Sequence, residues 1–317
     1  MPSNESNTAS TPTPAGARAA IDIGSNSIKM TLARRRDNDG IDEFAWFSET
    51  VRLGAGLDRS GRLADDRIEA ALVTLRRFAH EATAHGATHI HAVATEAVRV
   101  ATNGAPFIAR IGEETGIVVR LIDGDEEAAL TFRGLAASTD LSGSFVVADI
   151  GGASTEIIAA TDGHVREARS LALGSGRLTD RFVVNDPPWP AEVAACRASA
   201  SKSFSELLSE FALSAVAAER LIVVGGTGEY LGRLVGDERA ISRAAIESVL
   251  GRLESLTAAA LAGELAIAEA RARVLPAGIA IVAALTDNLG PGRIEVARSG
   301  IRAGLLLDAF SSEPSPR

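Results

Sequence analysis

The string Asp-Ile-Gly-x-x-Ser occurs twice in this chain, at Asp22–Ser27 and again 127 residues later (positions 22 and 149) at Asp149–Ser154. No other feature restricts the fold as much. In both copies a short apolar run leads into the aspartate and a glycine follows, which is how a buried strand ends. Glycine lets the backbone turn tightly and present its N–H groups with no Cβ in the way. N–H groups pointing the same way form a nest for phosphate oxygens. The second copy reads V-V-A-D-I-G-G-A-S-T-E, so Asp149 and Glu156 flank its turn. Two acceptor-only carboxylates repel phosphate unless a cation bridges them, so the stretch reads as a metal–phosphate site. A strand–turn–strand device repeated one domain length apart implies a duplicated α/β fold with two phosphate loops facing across a cleft.

The 317 residues suffice for two separate cores, and 46% hydrophobic with 23% charged residues is ordinary for a globular protein. Aromatic residues are only 4% and the net charge is −9. Base stacking and a broadly basic surface are both disfavoured, so no nucleic-acid partner is expected. Cys196 is the single cysteine, which excludes an internal disulfide and a cysteine-based zinc site; it reads as a small buried hydrophobe. The opening M-P-S-N-E-S-N-T lacks the pattern of a signal peptide, and no uninterrupted apolar stretch is long enough to span a bilayer. The expectation is a cytoplasmic protein with no membrane partner.

Along the chain, residues 1–17 read as a disordered tail, rich in Ser, Thr, Asn and Pro. Strands are expected over Arg18–Ile23, Ile28–Arg34 and Phe44–Leu53. An amphipathic helix follows over Asp65–His85, where Ile68, Ala71, Leu72, Leu75 and Phe78 fall at helical spacing. A strand over Ile90–Ala94 places Arg99 just beyond a strand end, where ligands gather in α/β folds. After a strand over Ile117–Ile122, Asp123 or Asp125 can cap a helix whose first turn carries Glu126 and Glu127. The segment S-T-D-L-S-G is the best domain boundary, giving domains over 18–137 and 138–312 and a short tail over 313–317. In the second domain, strands are expected over Phe145–Asp149, Glu156–Ala160, Val165–Leu173, Leu221–Val224 and Ile294–Ala297. Helices are expected over Ala191–Phe211, Ser242–Leu261, Leu275–Leu289 and Ile301–Phe310. Leu221–Val224 runs into a third glycine turn at Gly225–Gly228, and L-G-S-G-R-L-T-D places Arg177 where it can reach a phosphate. No G-x-x-x-x-G-K-[ST] string is present, so this is not a P-loop protein.

Taken in this order, A-I-D-I-G-S-N-S-I, T-E-A-V-R-x-x-x-N (Thr95–Asn103), L-I-D-G-D-E-E-A-A-L-T-F-R-G, D-I-G-G-A-S-T-E, L-G-S-G-R-L-T-D and G-I-R-A-G-L-L-L-D make the chain resemble the exopolyphosphatase/guanosine pentaphosphate phosphatase family. The likeness is to its short two-domain form, within the actin-like, sugar-kinase-like fold group. The resemblance implies hydrolysis of terminal phosphoanhydride bonds in inorganic polyphosphate, guanosine pentaphosphate or both, with guanosine tetraphosphate as a related ligand. It usually implies Mg²⁺; another divalent ion or an added monovalent cation is compatible with it, as is a homodimer. It assigns Glu127 as the group that aims and deprotonates water and Arg99 as the offset to phosphate charge. Phosphate binding falls to Gly24, Ser25, Asn26, Ser27, Gly151, Gly152, Ser154, Thr155, Arg177, Gly225, Gly226 and Thr227. Metal ligation, direct or through water, falls to Asp22, Asp149 and Glu156. The chain departs from the family pattern at Ala153, Glu229, Arg273 and Arg298.

Overall fold

The computed structural model describes residues 16–36, 40–210 and 219–311. The expected N-terminal tail lies outside the described residues up to position 15, as do the expected C-terminal tail and residue 211 of the long helix; Ala17 already belongs to the first strand. The first sheet holds β1 (Ala17–Ile23), β2 (Ile28–Arg35), β3 (Ile41–Glu49), β4 (Ala87–Ala94) and β5 (Val119–Leu121) in the order β3-β2-β1-β4-β5. The second holds β6 (Ser144–Ile150), β7 (Thr155–Thr161), β8 (His164–Leu171), β9 (Arg220–Val224) and β10 (Arg293–Val296) in the order β8-β7-β6-β9-β10. In each sheet the first three strands pair antiparallel and the last two add in parallel. The sheets are therefore copies in strand order and direction, as the repeated motif requires.

Register carries the copy down to single residues. Across β1 and β2, Asp22 faces Lys29; across β6 and β7, Asp149 faces Glu156. β1 and β6 are central and buried on both faces, so they read as apolar runs rather than alternating strands.

Two helices exchange places between the halves. The helix Gly124–Ala136 follows β5 of the first sheet but packs on β7 and β8 of the second. Its Ala128 and Leu135 join a core with Phe145, Val147 and Ile158, and Phe132 stacks on Phe145. The last helix, Ile301–Ser311, follows β10 but packs on β1, its Leu305, Leu306 and Phe310 meeting Ala20, Ala33 and Val93. The two helices cross in direct backbone contact. A Cβ on Gly304 would lie 2.0 Å from the Leu130 carbonyl oxygen, and one on Gly134 would lie 2.2 Å from that of Gly300. Arg133 and Asp308 close the crossing with an ion pair.

Some elements differ from expectation. β3 starts and ends earlier, at Ile41–Glu49, because Arg52 (φ 54°) and Gly56 (φ 72°) turn the chain left-handed just beyond it. A helix over Gly104–Thr115 has no counterpart in the sequence reading; it buries only Gly104, Phe107 and Ile111, too short a stripe to stand out. The alanine-rich stretch after Ser242 splits into Arg243–Leu253 and Ala258–Leu265, N-capped by Ser242 and Thr257. The stretch Glu269–Leu289 is long and apolar enough to cross a membrane by length and composition, but 78% of its apolar window is buried inside the fold, which marks a core helix.

Gly304→Ala would force the crossing helices apart. Overpacking of this kind costs about 1–3 kcal/mol, so thermal unfolding of the variant is expected several degrees below that of the parent. An unchanged melting temperature would mean that the crossing is not tight.

Candidate active site

Both glycine loops close by the same hydrogen bond. Gly24 N–H donates to the Ser27 carbonyl at 3.2 Å, and Gly151 N–H donates to the Ser154 carbonyl at 3.0 Å. The tips touch each other: a Cβ on Gly152 would lie 2.8 Å from the Asn26 Cβ and 2.9 Å from its backbone nitrogen. Only hydrogen fits there. Between the sheets, on one side of these tips, lies a cleft of about 600 Å³ lined by Asp22, Asp149, Glu156, Glu127 and both loops.

Glu127 reaches the cleft because its helix belongs to the first half in sequence but lies on the second sheet. Asp123 caps that helix by accepting from the Glu126 N–H at 2.9 Å, and Glu126 pairs with Arg120. Gly124 is required where the helix meets β8, since a Cβ there would lie 2.3 Å from the Ser170 Cβ. Glu127 Oε2 is buried with no hydrogen-bond partner. Burial first, then the charges of Glu156, Asp22 and Asp149, push its carboxyl well above the usual range, with Arg99 opposing. Burial pushes Asp22 up to about 6, against Lys29 and Arg302. Burial also raises Asp149, against a 3.0 Å hydrogen bond from Thr131 Oγ1. Glu156 is pushed up to about 8 by burial and then by Asp149, although Ser170 Oγ donates to it at 2.7 Å. Four carboxyls thus share a low-dielectric site and resist ionising together. Among the described residues no three His, Cys, Asp or Glu side chains gather closely enough to form a ready-made metal cage.

The same cleft holds a cationic group that sequence reasoning missed. Lys29 is pulled down to about 8 by burial and then by the Arg271 and Arg302 charges. Arg271, 9% exposed, lies so close over Gly226 that a Cβ there would sit 1.7 Å from its guanidinium; it stacks on the Tyr230 ring at 5.2 Å. Arg302 donates to Thr31 Oγ1 at 2.7 Å. Lys29 was findable, because it is the counterpart of Glu156 in the repeat. Arg302 stood in the terminal G-I-R-A-G string, whereas only tertiary folding brings Arg271 to the loops.

The structure places the expected site residues unevenly. Gly24, Ser25, Asn26, Ser27, Gly151, Gly152, Gly225 and Gly226 line the cleft. Arg99 stands behind it, donating to the Ile122 carbonyl at 2.6 Å and pairing with Glu96, while its charge acts on Glu127 and Glu156. Ser154 is buried against Glu156. Thr155 donates to the Leu173 carbonyl at 2.5 Å and Thr227 to that of Ile150 at 3.2 Å, so both brace the loops. Arg177 clasps Asp58 and the Ala153 carbonyl. Of the departures, Glu229 and Arg298 line the cleft, and Arg298 pairs with Glu238. Arg273 holds the Asn185 and Val184 carbonyls elsewhere in the second half.

Two touching glycine loops, a buried unpartnered carboxylate and a group of cations line one cleft between two matching α/β sheets, the parts a phosphohydrolase needs. The chain belongs to the Ppx/GppA phosphatase family, whose model matches residues 32–313. It is 27% identical over 303 residues to exopolyphosphatase 1 of Mycobacterium tuberculosis, covering 92% of this chain and 88% of that protein. Its fold is similar to the Aquifex aeolicus Ppx/GppA family member, with TM-score 0.73, 26% identity, and 95% and 99% of the two chains covered. An exopolyphosphatase structure from Cytophaga hutchinsonii shares the fold with TM-score 0.84 at 24% identity, covering 92% and 98%.

The raised carboxyls set a pH dependence for the metal-free protein. A carboxyl whose folded pKa exceeds its unfolded one binds more protons when folded, so its contribution falls as pH rises. With Asp22 at about 6 and Glu156 at about 8, the melting temperature in chelator is expected to fall from pH 5 to 8. Glu156→Gln should flatten that fall. A flat parent profile would show that the carboxyls ionise freely.

Proposed function

We propose that the protein is an exopolyphosphatase, removing the terminal phosphate of inorganic polyphosphate. The observation that carries this reading is the buried, unpartnered Glu127 Oε2 in a cleft that also holds the two touching phosphate loops. Phosphoryl transfer asks mainly for positioning and charge neutralisation. Loop N–H groups would seat the terminal phosphate. Lys29, Arg271 and Arg302 would take the charge of the units behind it, and Arg99 would favour ionised Glu127 from outside the cleft. Glu127 would accept a proton from the attacking water as the terminal P–O–P bond breaks, leaving orthophosphate and a chain one unit shorter.

The carboxylates fit Mg²⁺ as its resident ion. All donors are hard oxygens, Asp149 keeps Oδ1 clear of the Thr131 bond to its Oδ2, and the mutual repulsion of Asp149 and Glu156 asks for a cation. The lack of a closed cage suits an ion that keeps several waters and takes phosphate oxygens as ligands. When bound, Mg²⁺ would neutralise charge developing on the phosphate oxygens. Cys196, buried under helix Ser175–Phe182, has no reactive role, and the cytoplasm is the compartment this reading assumes.

A second reading adds guanosine pentaphosphate as a substrate. Trp46 is 60% exposed where β3 borders the cleft, and its indole donates to Glu43 at 2.8 Å. An indole face beside a carboxylate offers a purine both stacking and an acceptor.

Phosphate release from long polyphosphate with Mg²⁺ is expected to drop at least ~100-fold in Glu127→Gln, the scale of losing a general base. An undiminished rate would remove Glu127 from the chemistry. Trp46→Ala is expected to raise KM for guanosine pentaphosphate by roughly ten-fold, the scale of one lost base stack, with polyphosphate unaffected. Equal effects on both substrates would discard the purine site.

A further inference from the structure

A second recess, of about 410 Å³, lies against the same loop tips. Ser25, Asn26 and Gly152 line both spaces, whereas Glu127 and the other three raised carboxyls line only the cleft. The touching tips therefore lie between them. Asn26 sits at that divide, 5% exposed, and neither its Nδ2 nor its Oδ1 has a hydrogen-bond partner. A buried amide with nothing to bind is costly, and a ligand at the tips would satisfy it.

The recess is cationic although the whole chain carries −9. Four arginines line it, at positions 52, 59, 177 and 181, against Asp58 and Asp180. The aspartates are spoken for. Asp180 holds Arg52 and the Gly56 N–H, and Arg177 binds Asp58 through two nitrogens at 2.9 Å. Both pairs run between the two halves of the chain. Arg59 and Arg181 have no carboxylate partner among the described residues; Arg181 lies over the Phe182 ring. The wall is tied to the loop directly, because Arg52 N–H donates to the Asn26 carbonyl at 2.8 Å from a left-handed backbone conformation.

We propose that this recess is a phosphate-oxyanion site that receives orthophosphate after cleavage and releases it on the side away from the remaining chain. The shortened polyanion stays on the cleft's cations, so a product leaving by the cleft would have to pass a like-charged chain. The recess offers the small anion a separate cationic seat, which it reaches only when the tips that touch at Asn26 and Gly152 part. It is roomy enough for a hydrated phosphate, and the free heads of Arg59 and Arg181 can bind it while the cross-domain pairs hold the walls. The identity of the anion rests on the phosphohydrolase reading above; the existence of the site does not.

The test is ³¹P NMR titration of inorganic phosphate into the intact protein and into the Arg59→Ala/Arg181→Ala variant, with product inhibition of polyphosphate hydrolysis measured in parallel. Both arginines are exposed, so the fold should survive, and the melting temperature checks this. The double variant is expected to bind phosphate and be inhibited by it at least ~10-fold more weakly, the scale of lost charge-assisted hydrogen bonds. Its KM for polyphosphate should stay within about two-fold, and Arg59→Lys/Arg181→Lys should recover part of the binding. Unchanged phosphate binding would eliminate the site. A KM that rises together with the inhibition constant would assign the recess to the uncut chain and overturn the product role. Because the titration needs no turnover, it separates failure of the site from failure of the proposed activity.

Discussion

The crossing of Gly124–Ala136 over Ile301–Ser311 is the contact on which the molecule depends. Each helix leaves its own half and covers the sheet of the other, so neither half completes its apolar faces alone. Gly134 and Gly304 allow the backbones to meet, and that proximity fixes where the first turn of Gly124–Ala136 begins. Glu127 is on that turn. The position of the carboxylate among Asp22, Asp149 and Glu156 is thus set jointly by the Gly124–Ser170 contact at its own turn and by packing farther along its helix. A close helix–helix contact transmits displacement because cores are packed too densely to absorb it.

The cleft is an electrostatic arrangement under strain, with carboxyls held above their ordinary range facing a lysine held below its own. Desolvation acts on both signs at once, so burial alone does not favour a neutralised network. An incoming phosphate would meet partly desolvated cations, and a divalent ion would meet carboxylates in the same condition. Both would bind where the protein cannot satisfy itself, which is the sense in which the site is prepared.

Much of this was legible in the sequence because its signals are local. Two matching strings gave two matching sheets, glycine positions gave the turns, and Asp123 followed by acidic residues gave the helix that carries Glu127. What stayed hidden depends on long-range contact. Nothing near Arg271 in E-A-R-A-R marks it as a residue that will lie over Gly226. Nothing in T-E-A-V-R says that Arg99 will turn back to the Ile122 carbonyl and Glu96 rather than line the cleft. The exchanged helices were found as helices, but no periodicity tells which sheet an apolar stripe will cover. The Gly104–Thr115 helix escaped because its buried stripe is so short.

Lys29 and Glu156 occupy equivalent places in the repeat, opposite the equivalent aspartates Asp22 and Asp149. Two separate copies of one lobe, related by an exact twofold axis, would have to present the same side chain at both places: two amines or two acids. Carrying both lobes on one polypeptide removes that obligation. A single mouth can then offer a proton-bearing nitrogen on one lip and an oxygen on the other, a polarity that no pairing of identical lobes could supply.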